Sequence, residues 1–263
     1  MTEWLDIVSL YNSFSIPLLA LNGEGNSGDF SAMWMQKPAT INCPPGLEYL
    51  TQIDQLLVKQ SKELCEIILS FETKNQYTCY NVLGQPVYKC YEESGFCVRE
   101  FCGSSRPFRL HIVDGNNSEV ILARRPFRCD CFPCCSCCDC CLSEIEVESP
   151  PGNIIGYVKQ VYNGCYRNYH ILDQNQTKVL QIHGPPYCLC KCIGQNIDFK
   201  ITSANGAVEI GKITKKWTNI LQELYTDADN FGVTFPMDLE VRMKAVLLAA
   251  VFLIDFMYFE ESQ

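Results

Sequence analysis

Between residues 76 and 213 apolar and polar side chains alternate at every second position, and one unit keeps returning. Residues 76–81 and 87–92 flank a Leu83-Gly-Gln-Pro86 turn. Residues 108–113 and 119–123 flank Asp114-Gly-Asn-Asn117, where Asp-Gly predicts a tight hairpin. The pairs 144–148 with 154–161, 169–172 with 178–183, and 197–202 with 207–213 follow, joined by Ser149-Pro-Pro-Gly-Asn153, Asp173-Gln-Asn-Gln176 and Ser203-Ala-Asn-Gly206. A period of two, with turns about every 8–12 residues, predicts about ten to twelve strands in an antiparallel sandwich or barrel.

Outside this region the period changes. Residues 1–43 hold no sustained pattern and include Asn22-Gly-Glu-Gly-Asn-Ser-Gly28, which predicts a disordered arm ahead of Pro44-Pro-Gly46. Residues 47–58, apolar at 47, 50, 53, 56 and 57, predict a short amphipathic helix or turn, and 62–71 a second helix or the first strand. Residues 220–226 predict another short helix.

Near the C-terminal end, residues 245–254 contain nothing polar, so a helix there is greasy on every face. Such a helix is either the core of a larger body or a membrane span. The ten residues rise only about 15 Å, half of a hydrocarbon layer about 30 Å thick. The apolar helix is placed at 239–259, and counting 241–259 as a span takes in Arg242, Lys244 and Asp255. Each central charge costs about 2.5–3.5 kcal/mol, against about 0.3–0.6 gained per large aliphatic or Phe. The balance is near zero and leans to a buried central helix over a span. Two sheet halves, each ending in a Cys-rich stretch (129–141, and Cys188, Cys190 and Cys192), would wrap it.

Length allows one large domain or two small ones, with 44–263 as the ordered part after the arm. A formal charge of −9 argues against direct nucleic-acid binding, which needs a basic face. Glu3 and Asp6 occupy the place of a basic signal-peptide region, and Thr2 replaces the glycine that N-myristoylation requires. Eighteen cysteines without a secretory signal predict reduced cytosolic thiols used for metal, lipid attachment or packing.

Three constellations carry candidate chemistry. Residues 129–141 hold eight cysteines in thirteen positions, among them Cys131, Cys134, Cys135, Cys137 and Cys138. Overlapping Cys-x-x-Cys pairs allow zinc, but a contiguous run lacks the loop that folds one pair back on another, and S-acylation asks less of the geometry. Residues 227–238 place Asp227, Asp229, Gly232 and Asp238 at positions 1, 3, 6 and 12 of a calcium loop, with backbone oxygens near Phe231 and Val233. Such a set would bind calcium weakly, at about 10⁻⁴–10⁻³ M; the alternative is that the aspartates cap turns and Asp238 caps the apolar helix. Gly211, Lys212, Ile213, Lys215, Lys216 and Trp217 read as an importin-recognised or headgroup-contacting segment, or as a strand end with solvated lysines. The three histidines, His111, His170 and His183, sit at strand positions, and no phosphate loop or nucleophile elbow occurs, so no catalytic residue is assigned.

Pro44-Pro-Gly-Leu-Glu-Tyr-Leu50, Arg125-Pro-Phe-Arg-Cys129, Cys131-Phe-Pro-Cys-Cys135, Glu144-Ile-Glu-Val147, Ile155-Gly-Tyr-Val158, Asp227-Ala-Asp-Asn-Phe-Gly232 and Phe252-Leu-Ile-Asp-Phe-Met257 together resemble the phospholipid scramblases over about residues 44–260. The resemblance implies a mainly β fold similar to the tubby C-terminal domain, a closed antiparallel twelve-stranded barrel around the apolar helix. It implies palmitoyl groups on the Cys131–Cys135 segment, calcium at 227–238 and nuclear import through 211–220. The implied activity is calcium-dependent, ATP-independent movement of phospholipids between leaflets, at anionic lipids of the cytoplasmic face of the plasma membrane, by a monomer or homo-oligomer. The alternative is a palmitoylated adaptor that enters the nucleus when not acylated. The Pro-rich arm usual in the family is replaced by residues 1–43, which contain no PxxP or PPxY, so SH3 and WW partners are not expected.

Overall fold

In the computed structural model, which describes residues 34–39, 43–61, 75–95, 102, 105–128, 141–186, 196–215 and 230–259, the alternating segments are strands. They are β1 (Gln55–Ser61), β2 (Gln76–Tyr80), β3 (Pro86–Glu93), β4 (Phe108–Val113), β5 (Glu119–Arg125), β6 (Glu144–Glu148), β7 (Ile154–Asn163), β8 (Tyr166–Asp173), β9 (Lys178–Pro186), β10 (Ile197–Ser203), β11 (Glu209–Lys215) and β12 (Asn230–Thr234). A single helix, α1 (Val241–Tyr258), follows among the described residues. Each strand runs antiparallel to its neighbours, and β1 pairs with β12 from Gln55↔Thr234 to Lys59↔Asn230, which closes the sheet into a barrel. Closure leaves no open edge, the usual liability of an all-β chain.

One local expectation holds only for its first half, as a turn, and another is corrected. The 47–58 segment is a 3-10 turn at Glu48–Gln52, after which Ile53 is already extended and Leu56 and Val58 point inward from β1. The tight Asp-Gly hairpin is a longer loop: Asp114 Oδ1 accepts the Asn116 and Ser118 N–H groups at 2.9 and 3.0 Å, and the left-handed residue is Asn117, φ 60°. Asp173 builds the same loop, accepting from Asn175 and Thr177 at 2.8 Å, with Gln176 at φ 60°. An aspartate that satisfies two turn N–H groups sets this geometry, whatever residue follows it. Residues 62–71 and 220–226 lie outside the described residues.

The core sits on the barrel axis. Every residue from Ala245 to Ile254 is 0% exposed, so the helix is surrounded by strands on all sides. Phe252 packs against Tyr77 with ring centroids 4.9 Å apart, and Phe256 stacks on Phe108 at 4.1 Å. Gly156 lets β7 come close: a Cβ there would lie 2.5 Å from the Leu172 carbonyl oxygen and 2.9 Å from Val246 Cγ2.

The charges that counted against a span have partners inside. Lys244, 0% exposed, donates its three N–H groups to the carbonyls of Leu50 (2.9 Å), Ile53 (2.8 Å) and Met237 (2.8 Å). Burial pushes its pKa down; three acceptors match the three donors of an ammonium and oppose that. Asp255, 3% exposed, accepts a 2.7 Å hydrogen bond from the Tyr77 hydroxyl. No described helix is long and apolar enough to cross a membrane. Asp238 is not the helix cap: the cap position is Glu240, with no side-chain cap bond, because Pro236–Leu239 forms a turn of its own.

Tyr77→Phe leaves Asp255 short of a buried donor and is expected to lower stability by about 1–3 kcal/mol. Lys244→Met leaves three buried carbonyls unmatched and is expected to cost at least as much. Urea unfolding followed by circular dichroism measures both, and an unchanged midpoint for either variant refutes the assigned role.

Candidate functional site

Because successive strands alternate in direction, the connections alternate between the two ends of the barrel. One end carries the turns after β2, β4, β6, β8 and β10 and the link from β12 to α1. At the other end the chain leaves β5 through Arg128 and returns at Cys141, leaves β9 at Pro186, and leaves β11 at Lys215 to return at Asn230. The brackets of the cysteine run, of the Asp227 and Asp229 pair, and of Lys216 and Trp217 therefore share one end. Cys131, Cys134, Cys135, Cys137, Cys138, Asp227, Asp229, Lys216 and Trp217 themselves lie outside the described residues.

The described part of the calcium-loop pattern begins as a strand. Phe231 and Val233 belong to β12, 1% and 0% exposed, in register with Val58 and Leu56 of β1 and with Lys215 and Ile213 of β11. Asp238 lies past the far end of that strand, in the turn that leads to α1. Five strand residues span about 17 Å, so β12 separates Asp238 from Asn230, where the chain re-enters the described structure. The strand escaped notice because Asp, Asn and Gly dominate its approach, although Phe231 and Val233 alternate inward. Among the described residues no group of three or more His, Cys, Asp or Glu could hold a metal.

The described part of the basic segment, Gly211 to Lys215, is also a strand. Gly211 is there for space, since a Cβ would run into the Thr234 carbonyl. Lys212 is exposed and salt-bridged to Asp198 at 3.1 Å, while Ile213 is 0% exposed. Lys215 is not solvated: its Nζ lies 3.7 Å from the Phe259 ring centroid and 5.7 Å from that of Phe231. With β10 and β12 paired on its two sides, this stretch does not offer a free extended backbone to a receptor.

Sequence reasoning missed the polar construction of this end. Arg106, 0% exposed, meets Glu92 through two bonds, Nε to Oε1 at 2.8 Å and a terminal nitrogen to Oε2 at 3.1 Å, and its guanidinium lies 4.7 Å from the Phe256 ring centroid. Beside it a cleft of about 780 Å³ is lined by Glu93, Phe108, Arg109, Arg124 and Glu144. The only available signal was Arg106-Pro-Phe-Arg109 echoed by Arg125-Pro-Phe-Arg128. On the outer wall His111 bridges Glu119 (2.8 Å) and Glu93 (3.1 Å), and this contact holds the Glu93 carboxyl below its ordinary value. His183 meets Thr202 at 3.1 Å, and burial lowers His170.

A family model described as Scramblase matches residues 33–261. The chain is 49% identical to Phospholipid scramblase 2 of Bos taurus over 233 residues, 88% of this chain and 77% of that protein. It is 50% identical to Phospholipid scramblase 1 of Homo sapiens over 232 residues, 87% of this chain and 70% of that protein. It is 47% identical to Phospholipid scramblase 1 of Rattus norvegicus over 246 residues, 92% and 70% of the two chains. No solved structure matches.

Burial alone would raise the Glu92 carboxyl, but the Arg106 contact and the Asn75 N–H outweigh it and hold it below 4.5. The unfolded chain then takes up the proton first. The pair's stabilisation is complete above about pH 4.5 and is lost as pH falls through the lowered folded value. Glu92→Gln is expected to cost about 3–5 kcal/mol near neutrality by removing the counter-charge of buried Arg106, and to flatten the fall in stability below pH 4.5. Denaturant titrations across pH read both effects, and parallel profiles for the two proteins would exclude this role for Glu92.

Proposed function

The chain belongs to the scramblase family, and from that we propose that it moves phospholipids between the leaflets of a membrane. The movement runs in both directions, down the lipids' own gradients, without ATP and in response to calcium. One observation carries the reading: 47–50% identity, over 87–92% of the chain, to proteins named phospholipid scramblases. Such transport makes and breaks no covalent bond, so it asks for no nucleophile or general base. Asp227 and Asp229 are the carboxylates assigned to calcium, at the end where β12 begins, with backbone oxygens near Asn230. Palmitoyl groups on Cys131, Cys134, Cys135, Cys137 and Cys138 tether the barrel to the cytoplasmic face of the plasma membrane, since one acyl chain alone gives only marginal binding.

A second reading has an observation in its favour. A headgroup needs a polar path across hydrocarbon, and α1 is sealed in the barrel with Lys244 and Asp255 both satisfied there. A lipid path would then form outside the barrel, between copies of the chain or beside them. An acylated adaptor, which binds lipids or proteins and enters the nucleus when not acylated, needs no such path.

Purified chain reconstituted into vesicles labelled in both leaflets is expected to speed lipid exchange when millimolar calcium is added. Asp227→Asn with Asp229→Asn is expected to remove the calcium response and leave the basal rate. No acceleration at any calcium concentration would leave the adaptor reading standing. In cells, replacing the five cysteines with serine is expected to release the protein from membranes into an alkaline carbonate wash. Retention in the membrane would exclude an acyl tether.

A further inference from the structure

The end of the barrel that carries the short turns also carries a groove. Met35, Ile53, Asp54, Val82, Leu83 and Gln85 line a cavity of about 400 Å³ between residues 35–36, the start of β1 and the β2–β3 turn. The β12–α1 link borders it. The Phe235 N–H donates to the Asp54 carbonyl at 2.9 Å, and the Met237 and Ile53 carbonyls accept from the same Lys244 ammonium. Leu83 is 77% exposed, Met237 50% and Val82 48%. The charges around these side chains decide what can cover them.

Those charges are carboxylates. Asp54 and Asp238 are exposed and enter no ion pair among the described residues, and both lie near enough for the buried Lys244 to sense them. The described cations around the groove are already engaged. Lys37 sits on Glu48 at 3.0 Å, Arg242 beside Glu240 at 3.8 Å, and Lys89 over the Trp34 ring, 5.6 Å from its centroid. Lys244 is 0% exposed and spent on three carbonyls. Every strand connection at this end is described, and the chain that leads into it adds no cation. Residues 1–33 contain Glu3, Asp6, Glu24 and Asp29 without a lysine or arginine, and residues 40–42 are uncharged.

Negative charge therefore speaks against three occupants. The 1–33 arm is itself acidic, and an anionic leaflet repels Asp54 and Asp238. A second copy brings a formal charge of −9, and the described part of its basic stretch is a strand paired on both sides.

We propose that this groove docks a basic, partly apolar peptide segment of a protein partner. A lysine or arginine of the segment meets Asp54 and Asp238, and a large apolar side chain seats against Leu83 and Met237. The alkyl stem of the cation lies along the same apolar surface with its head in water. Docking of this kind goes beyond the transport and adaptor readings and depends on neither. The groove is at the end opposite Arg128 and Cys141, so a barrel tethered through the cysteine run keeps it open to the partner.

The test is fluorescence anisotropy of a labelled peptide of alternating arginine and leucine, titrated with the unacylated full chain in a calcium chelator. Matched peptides with glutamate for arginine, or glycine for leucine, are expected to bind at least about tenfold more weakly. Asp54→Asn with Asp238→Asn is expected to weaken binding of the first peptide about fivefold. Leu83→Ser with Met237→Ser is expected to weaken it about tenfold. Glu93→Gln with Asp198→Asn removes the same charge from exposed positions at the other end of the barrel and is expected to stay within about twofold. Circular dichroism and melting confirm that all three variants fold, since every substituted side chain is exposed. No saturable binding by the parent below about 1 mM, equal losses in all three variants, or unchanged binding in the groove variants would each overturn the proposal. Sedimentation velocity of the peptide-free chain reads the remaining occupant: a dimer that the groove variants break gives the groove to a second copy and likewise overturns it.

Discussion

A twelve-stranded barrel is wider than its own side chains can fill; eight strands are about the limit for a packed interior. The closed sheet therefore depends on a rod to occupy its axis, and α1 is that rod. Seven large apolar side chains between Val246 and Ile254 are wholly buried. Together they contribute roughly 10–20 kcal/mol, comparable to or larger than the whole net stability of a typical domain, about 5–15 kcal/mol. A helix with no polar face is unusual on a globular surface and necessary here, because there is no solvent side for a polar face to meet.

The two charged residues within the helix follow from the same geometry. A barrel seals its plug laterally but must join it to the rim, and Lys244 does so by collecting carbonyls from the 3-10 turn and from the β12–α1 link. Asp255 is deeper at the opposite end and takes its donor from β2. Arg106 and Glu92 close the interior beside Phe256. Ionic groups thus mark both ends of an apolar column, each with a partner whose loss would leave a charge or a carbonyl in a dry place.

Most of the architecture was legible in the sequence because the β signal was strong: period two, punctuated by turn residues, across ten segments, and one segment too greasy for any surface. What escaped had physical reasons. β1 follows a 3-10 turn so closely that the apolar positions of both read as one amphipathic helix. β12 is five residues long and sits among aspartates, so its loop-like approach hid Phe231 and Val233. The basic character of residues 211–217 suggested a displayed peptide, while the inward alternation of Ile213 and Lys215 marked a strand. The Arg106–Glu92 pair was illegible along the chain, because its partners come from β3 and the approach to β4 and meet only when the barrel closes.

The position of α1 after all twelve strands has a consequence for biogenesis. A ribosome adds about 5–20 residues per second, so the strands emerge over many seconds before the rod around which they pack exists. During that interval β1 has no β12 to pair with and the future interior faces water. Nascent chains of this shape are natural clients of chaperones that shield unpaired sheet, and a reading frame interrupted before residue 241 would remove the core on which the sheet closes rather than yield a slightly shorter protein.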